Sequence, residues 1–359
     1  MKGSVRWLLT LLVLPLLFPA SALGQRKIER LFYYVDRENS YNDLVQHIDQ
    51  IDILAPSIYS VDANGIVWGE MDPRVLKLAK EHGVKVMPLI VNVTQSFDQQ
   101  LLHDLLVNDV GRARAITSML ELCRRHGYAG FQFDFENVAI EDRDLFTNFY
   151  RETAEAFHRE GYQLSIAVVH RTEETGGPNR YHKWMMEDWR GGYDLKALAE
   201  IGDFISVMTY SQHTRRTPPG PSASLPWVEA NIKYFLKFMP PEKLSLGIPT
   251  GGMRWYTSQE DHIKPELARS WATGLSHTWA IALLERHNAP VHWSDEHQVS
   301  YGFYDNGGTF EWIFFEDARS FSAKLDLLNR YKLRGFSVWV LGSEDPKVWD
   351  VLREKVAGR

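Results

Sequence analysis

Cysteine is nearly absent: Cys123 is the only one in 359 residues. No intramolecular disulfide can form, and no zinc site can be built from cysteine pairs. Cys123 falls in the helical-looking stretch Ala113 to Arg125, where a plain buried thiol is expected. Basic charge is not in excess either. Forty Lys and Arg stand against 46 Asp and Glu, a net charge of −6, which argues against a nucleic-acid partner. No linker rich in Gly, Ser or Pro interrupts the chain, and no internal repeat stands out. His-Glu-x-x-His and similar ligand spacings do not occur, so no metal and no cofactor are expected. The composition, 44% hydrophobic and 24% charged, is that of a globular chain and excludes disordered and low-complexity classes.

Long apolar runs are also missing. The longest, Trp7 to Phe18, has 12 residues and contains Pro15. That is too short to span a bilayer comfortably. It follows the basic start Lys2 to Arg6 and precedes the small residues Ala20, Ser21 and Ala22. This is the three-part pattern of a secretory signal, so residues 1–24 are expected to be removed and residues 25–359 to form the mature domain. Without residues 1–24 the charge is 38 basic against 46 acidic residues, a net −8. The expectation is a secreted or periplasmic protein with no stable membrane insertion.

The rest alternates short apolar strands with amphipathic helices. The strand candidates are Leu31–Val35, Ile53–Tyr59, Val84–Asn92, Gly130–Glu136, Gln163–Val169, Phe204–Tyr210, Leu244–Pro249 and Gly335–Leu341. Helical stretches between them include Pro73–His82, Ala113–Arg125, Asp142–Glu160, Pro226–Phe238 and Ala318–Tyr331. This order implies parallel strands with right-handed crossovers. Eight of them at this length predict an α/β fold, a (β/α)8 TIM barrel. An open doubly wound sheet is the rival, but no glycine-rich phosphate turn follows the first strand. One interval, from Pro249 to Gly335, is too long for a single crossover. Within it Val299–Tyr304 and Thr309–Phe315 flank Asp305-Asn306-Gly307-Gly308, a hairpin signal. Approximately residues 251–314 therefore read as a small α+β insertion in the loop after strand 7.

The chemistry concentrates on the fourth strand, Gly130-Phe131-Gln132-Phe133-Asp134-Phe135-Glu136. Side chains alternate between the faces of a strand. Gln132, Asp134 and Glu136 share one face, and Phe131, Phe133 and Phe135 share the other. In a barrel the aromatic face packs under the helices and the polar face points inward, where charge is costly. Asp134 and Glu136 sit roughly 7 Å apart at the Cα level, from a rise of about 3.3 Å per residue. Two acids in a poorly solvated site do not both ionise easily, so one keeps its proton near neutral pH and can act as a general acid. The same alternation also fits a half-exposed strand with a wet polar face, and the stretch alone leaves both open.

Beyond this stretch, Met208-Thr209-Tyr210, Leu246-Gly247-Ile248-Pro249 and Gly335-Phe336-Ser337-Val338-Trp339 close three later strands. Phe315-Glu316-Asp317, with Ser320 and Lys324, opens the last long helix. Together these resemble glycoside hydrolase family 18, the chitinase-like barrels, and within it the spore-cortex peptidoglycan hydrolase and chitobiase-like branch. The family signature on the fourth strand is Asp-Gly-x-Asp-x-Asp-x-Glu. Its last two acids stand here as Asp134 and Glu136, while Ala129 and Gln132 replace the first two.

The resemblance implies a glycosidase acting on β-1,4-linked N-acetylglucosamine glycans, chitin or peptidoglycan, by a retaining, substrate-assisted route. It implies Glu136 as general acid and base, Asp134 as the residue that orients the substrate acetamide, and Tyr210 as donor to the acetamide carbonyl. Trp339 would stack on the sugar that is cleaved. Gln132 and Asn92 are the further candidates for substrate contact, and His170 and His213 are possible sugar ligands. Glu173-Glu174 and Arg215-Arg216 read as solvated loop charges. The alternative is a non-catalytic glycan-binding barrel, kept open by Ala129 and Gln132.

Overall fold

The computed structural model describes residues 27–257, 270–308 and 310–356; the signal expected over residues 1–24 lies outside them. Eight parallel strands close into a barrel: β1 Glu29–Tyr34, β2 Ile53–Val61, β3 Leu89–Val91, β4 Gly130–Phe133, β5 Gln163–Val169, β6 Ile205–Met208, β7 Leu244–Pro249 and β8 Gly335–Trp339. Each pairs with its sequence neighbours. Closure is made by β1 on β8, with Glu29 opposite Gly335 and Phe32 opposite Val338. The predicted (β/α)8 class is therefore what the chain adopts.

Helices follow the strands and cover the barrel. Pro73–Glu81 begins at Asp72, whose side chain accepts from the Arg74 backbone N–H, with Pro73 supplying a preset first turn. Asp109–His126 starts four residues earlier than the sequence suggested, because Asn108 caps it by accepting from the Gly111 N–H. It stops at Gly127, which adopts a left-handed φ of 72°. Cys123 is buried within it, and burial pushes its thiol up to about 12. Ala318–Tyr331 opens with a reciprocal Asp317 and Ser320 capping box. On the same helix the buried Lys324 ammonium meets Glu316 at 2.7 Å, so the two charges compensate each other inside the protein.

The third expected strand, Val84–Asn92, appears as two pieces, Lys85–Val86 and β3. Pro88 lies between them and has no N–H to give to a ladder. The fourth is regular only to Phe133, but the Asp134 N–H still bonds to the Ile90 carbonyl, which keeps Asp134 in register.

The three phenylalanines of β4 and its extension are fully buried. Phe131 meets Phe157, Phe133 meets Phe149 and Phe135 meets Phe146, at ring centroid separations of 6.2, 5.3 and 6.0 Å. All three partners lie on helix Arg143–Arg159. Each such side chain contributes roughly 1.5–3 kcal/mol on burial. That aromatic contact holds the polar face of the strand toward the barrel axis. Gly130 permits the close approach of β5, since a Cβ there would lie 1.8 Å from the Gln163 carbonyl oxygen.

Between β7 and β8 lies a separate antiparallel sheet. Its spatial order is Ser270–Leu275, Gly252–Thr257, Phe310–Phe315, Val299–Asp305, His292–Ser294. The hairpin is as the sequence indicated, with Asp305 Oδ1 accepting from the Gly308 N–H and closing its turn; Thr309 lies outside the described residues. Helix His277–Arg286 packs Ala280 and Leu284 against Ile313 and Phe315 of this sheet. No helix among the described residues is long and apolar enough to cross a membrane.

Candidate active site

The C-terminal ends of the strands open into a cleft, where barrel enzymes place their chemistry. Asp134, Glu136, Tyr210 and Trp339 all line one cavity of about 980 Å³, walled also by Tyr33 and the exposed Trp279 of the inserted element. A second cavity of about 690 Å³ lies on the other side of Glu136 and Tyr210, which border both. Trp339 packs its ring against Tyr33 at 5.5 Å.

The two acids are placed very differently from surface carboxylates. Asp134 is 7% exposed, and its Oδ1 is buried with no hydrogen-bond partner among the described residues. Burial pushes its pKa up to about 7. Glu136 is raised well above its ordinary value, first by burial and then by the neighbouring Asp134. The pair therefore holds protons where isolated carboxyls would have lost them. Tyr210 is also pushed up, by burial and then by Tyr33, Asp134 and Glu136, so it remains a hydroxyl donor.

Two of the expected substrate contacts turn out to lie beneath the cleft. Gln132 is fully buried. Its Oε1 accepts from the Tyr33 hydroxyl at 2.7 Å, and its Nε2 donates to Ser165 and Ser206 at 3.0 and 3.2 Å. Ser206 continues to Ser337, and Ser337 to Ser245. This chain of side chains crosses six barrel strands and engages both amide protons of Gln132 inside the barrel. Asn92 is fully buried as well. Its Nδ2 donates to the Glu136 and Asp98 carbonyls at 2.9 and 3.1 Å, and its Oδ1 accepts from the Glu136 N–H at 3.1 Å. Asn92 thus clamps the backbone of Glu136 from both sides and positions it.

Other supports of the site escaped the sequence. Tyr193 donates from its hydroxyl to the Phe135 carbonyl at 2.7 Å. Asn137 and Ser211, directly after Glu136 and Tyr210, adopt φ of 58° and 63°, a left-handed conformation that non-glycine residues hold only under tertiary constraint. The small residues Ser165, Ser206, Ser245 and Ser337, one per strand at the same level, were the available signal for the buried layer. The imidazole of His170 is buried and kept neutral, its pKa driven down to about 3 by burial and by Arg190. His213 turns its Nδ1 to the Pro218 carbonyl at 3.1 Å. Among the described residues no group of three His, Cys, Asp or Glu side chains can hold a metal ion.

The buried layer sets an expectation for pH. In Gln132→Asp a third ionisable group enters the column below Asp134. When ionised it repels charge on Asp134 and Glu136 and raises the pH at which their protons are lost. The alkaline limb of the pH–rate profile moves upward. Profiles of the two proteins that overlay from about pH 4 to pH 9 would show that position 132 is not coupled to the pair.

A parallel barrel with a buried carboxyl pair of raised pKa and an aromatic wall at its C-terminal mouth fits a carbohydrate-cleaving enzyme. The chain belongs to the glycosyl hydrolases family 18, whose family model matches residues 30–344, and it is a glycoside hydrolase. It is 27% identical over 338 residues to the cortical fragment-lytic enzyme of Bacillus subtilis (strain 168), covering 92% of this chain and 75% of that one. Its structure resembles the Bacillus cereus spore cortex-lytic enzyme SleL with a TM-score of 0.80 at 25% identity, covering 92% of this chain and 74% of the other. It shares the fold of a chitinase from Chromobacterium violaceum with a TM-score of 0.81 at 24% identity, over 92% of this chain and all of that one.

Proposed function

We propose that the chain is an exported hydrolase of β-1,4-linked N-acetylglucosamine glycans, chitin or peptidoglycan, working by a retaining, substrate-assisted route. The observation that carries this reading is the buried, partnerless Oδ1 of Asp134 beside the protonated Glu136. An acceptor left unsatisfied in a native interior is costly. A substrate N–H placed against it removes that cost.

The acetamide of the sugar bound over Trp339 supplies such an N–H. Asp134 holds it and stabilises positive charge as the acetamide oxygen attacks the anomeric carbon. Tyr210 donates to that oxygen and fixes its angle. Glu136 gives its proton to the glycosidic oxygen, then takes one from the water that opens the cyclic intermediate. Chitinase and cortex-lytic are words in the names of similar proteins and support N-acetylglucosamine glycans as the substrate class. Export rests on the basic, apolar and small-residue segments of residues 1–24.

The test is release of chromophore from a chromogenic N-acetylglucosamine oligomer by the full chain expressed in its exported form. Turnover, with a mature N-terminus near residue 25, is the expected result. A protein that binds the oligomer without cleaving it under any pH condition would contradict the hydrolytic reading.

A further inference from the structure

The second cavity, on the far side of Glu136, has an unusual charge balance. Arg190, Arg215 and Arg216 line it, against two carboxyls, Glu173 and Glu136 itself. Nearby Glu174 is taken by Arg171 at 3.6 Å, and Glu187 by Lys183 at 3.6 Å. Among the described residues none of the three lining arginines forms an ion pair with an acid. Arg216 lies over the Trp184 ring at 5.3 Å. The pair Arg215-Arg216, which the sequence suggested was mere loop charge, thus borders the cleft.

Arg190 is the informative member. It is partly buried, and its Nε is buried with no hydrogen-bond partner among the described residues. Among the described residues the one side-chain hydrogen bond of its guanidinium is a donation from Nη2 to His170 Nε2 at 2.8 Å. The His170 ring sits against Trp227 at 4.8 Å. His170 therefore fixes the planar fork of Arg190 without neutralising it. A partly buried guanidinium with an unused donor, near Glu173 but ion-paired with no acid among the described residues, would gain from an anion.

We propose that this cavity is a leaving-group subsite for a carboxylate-bearing sugar, with Arg190 as the residue that selects it. The proposal rests on the hydrolase reading above and names its substrate more closely. If the sugar carrying the reacting acetamide sits over Asp134 and Trp339, which line the first cavity only, the departing sugar lies in the second. Glu136, protonated before reaction, brings no negative charge to oppose an anion there. A carboxylate on the departing sugar meets the Arg190 fork, with Arg215 and Arg216 adding a positive rim. Among β-1,4-linked N-acetylglucosamine glycans, this favours one whose alternate residue carries an acidic 3-O-substituent over a uniformly neutral polymer.

The experiment compares two disaccharides that differ only in charge. Each has N-acetylglucosamine β-1,4-linked to an N-acetylated sugar with a 3-O-lactyl group, free in one and methyl-esterified in the other. Binding is measured by calorimetry on Glu136→Gln protein, and hydrolysis on the wild type. A charge-assisted pair of this kind is expected to favour the acid by roughly ten- to hundredfold. Adding Arg190→Gln should collapse that ratio toward one. A purely structural role for Arg190 would weaken acid and ester alike and leave the ratio standing, which overturns the proposal. Equal binding of acid and ester before any change at Arg190 also overturns it. Preference for the acid in binding, with neither compound hydrolysed by the wild type, would sustain the subsite and refute the hydrolase reading. Hydrolysis of both with no preference would do the reverse.

Discussion

Glu136→Gln is expected to abolish hydrolysis while leaving oligosaccharide binding close to that of the unchanged protein. The amide is nearly the same size, so the Asn92 clamp on the backbone of residue 136 survives. Trp339, Trp279 and Tyr33, which wall the cleft, are untouched. What is lost is the proton. Glu136 is the acid whose burial and whose neighbour Asp134 hold it protonated, and an amide can neither donate it nor take it back from water. General acid–base help contributes typically 10²–10⁴-fold, and on the proposed route one group serves both half-reactions, so the loss should reach at least that size. Turnover and affinity measured on one preparation separate the two effects. Activity within about threefold of the wild type would remove Glu136 from the mechanism.

The barrel was legible because its signal is repeated. Eight apolar strands and their amphipathic helices each carry the pattern, and a slip in one, such as Pro88 splitting the third, does not alter the class. The column on β4 was legible for a related reason: Phe131, Phe133 and Phe135 needed a core, and helix Arg143–Arg159 supplies it, which leaves Asp134 and Glu136 facing the cleft. Depth along that column was not legible. Period two tells which face a residue shares, not how far along the barrel axis it lies. Gln132 is one step deeper than Asp134 and is consumed by Tyr33, Ser165 and Ser206. Asn92 ends its strand as expected, but its partner is the backbone of Glu136, a contact across 44 positions. Arg190 ends a single π-helical turn, Met186–Arg190, too short to carry a periodic signal, and only its unpaired Nε in three dimensions singles it out.

The other large effect concerns the substrate. Removing the acetyl group from the sugar at the reacting position should stop cleavage there. Asp134 and Glu136 are the two carboxyls at the end of β4. With Glu136 engaged at the glycosidic oxygen and Asp134 holding the acetamide N–H, the column has no third carboxyl free to attack the anomeric carbon, since Gln132 is an amide locked beneath. On the proposed substrate-assisted route the nucleophile is then the acetamide oxygen. Deacetylation removes it and leaves an ammonium beside a carbon that is becoming positive. Loss of a preorganised electrostatic partner of this kind costs about 3–4 kcal/mol, or 10²–10³-fold in rate, and the missing nucleophile adds to it. Tyr210, kept protonated by its burial, would on the same route lose its acceptor.

The most direct measurement of this central point uses two matched β-1,4 oligomers, identical except for the acetyl group on the sugar at the reacting position, with rates followed by product release and the enzyme examined by mass spectrometry during turnover. Cleavage of the acetylated oligomer alone, with no sugar attached to the protein, is the result expected if the substrate supplies its own nucleophile. Comparable rates on both oligomers, or a covalent sugar adduct on Asp134 or Glu136, would contradict it.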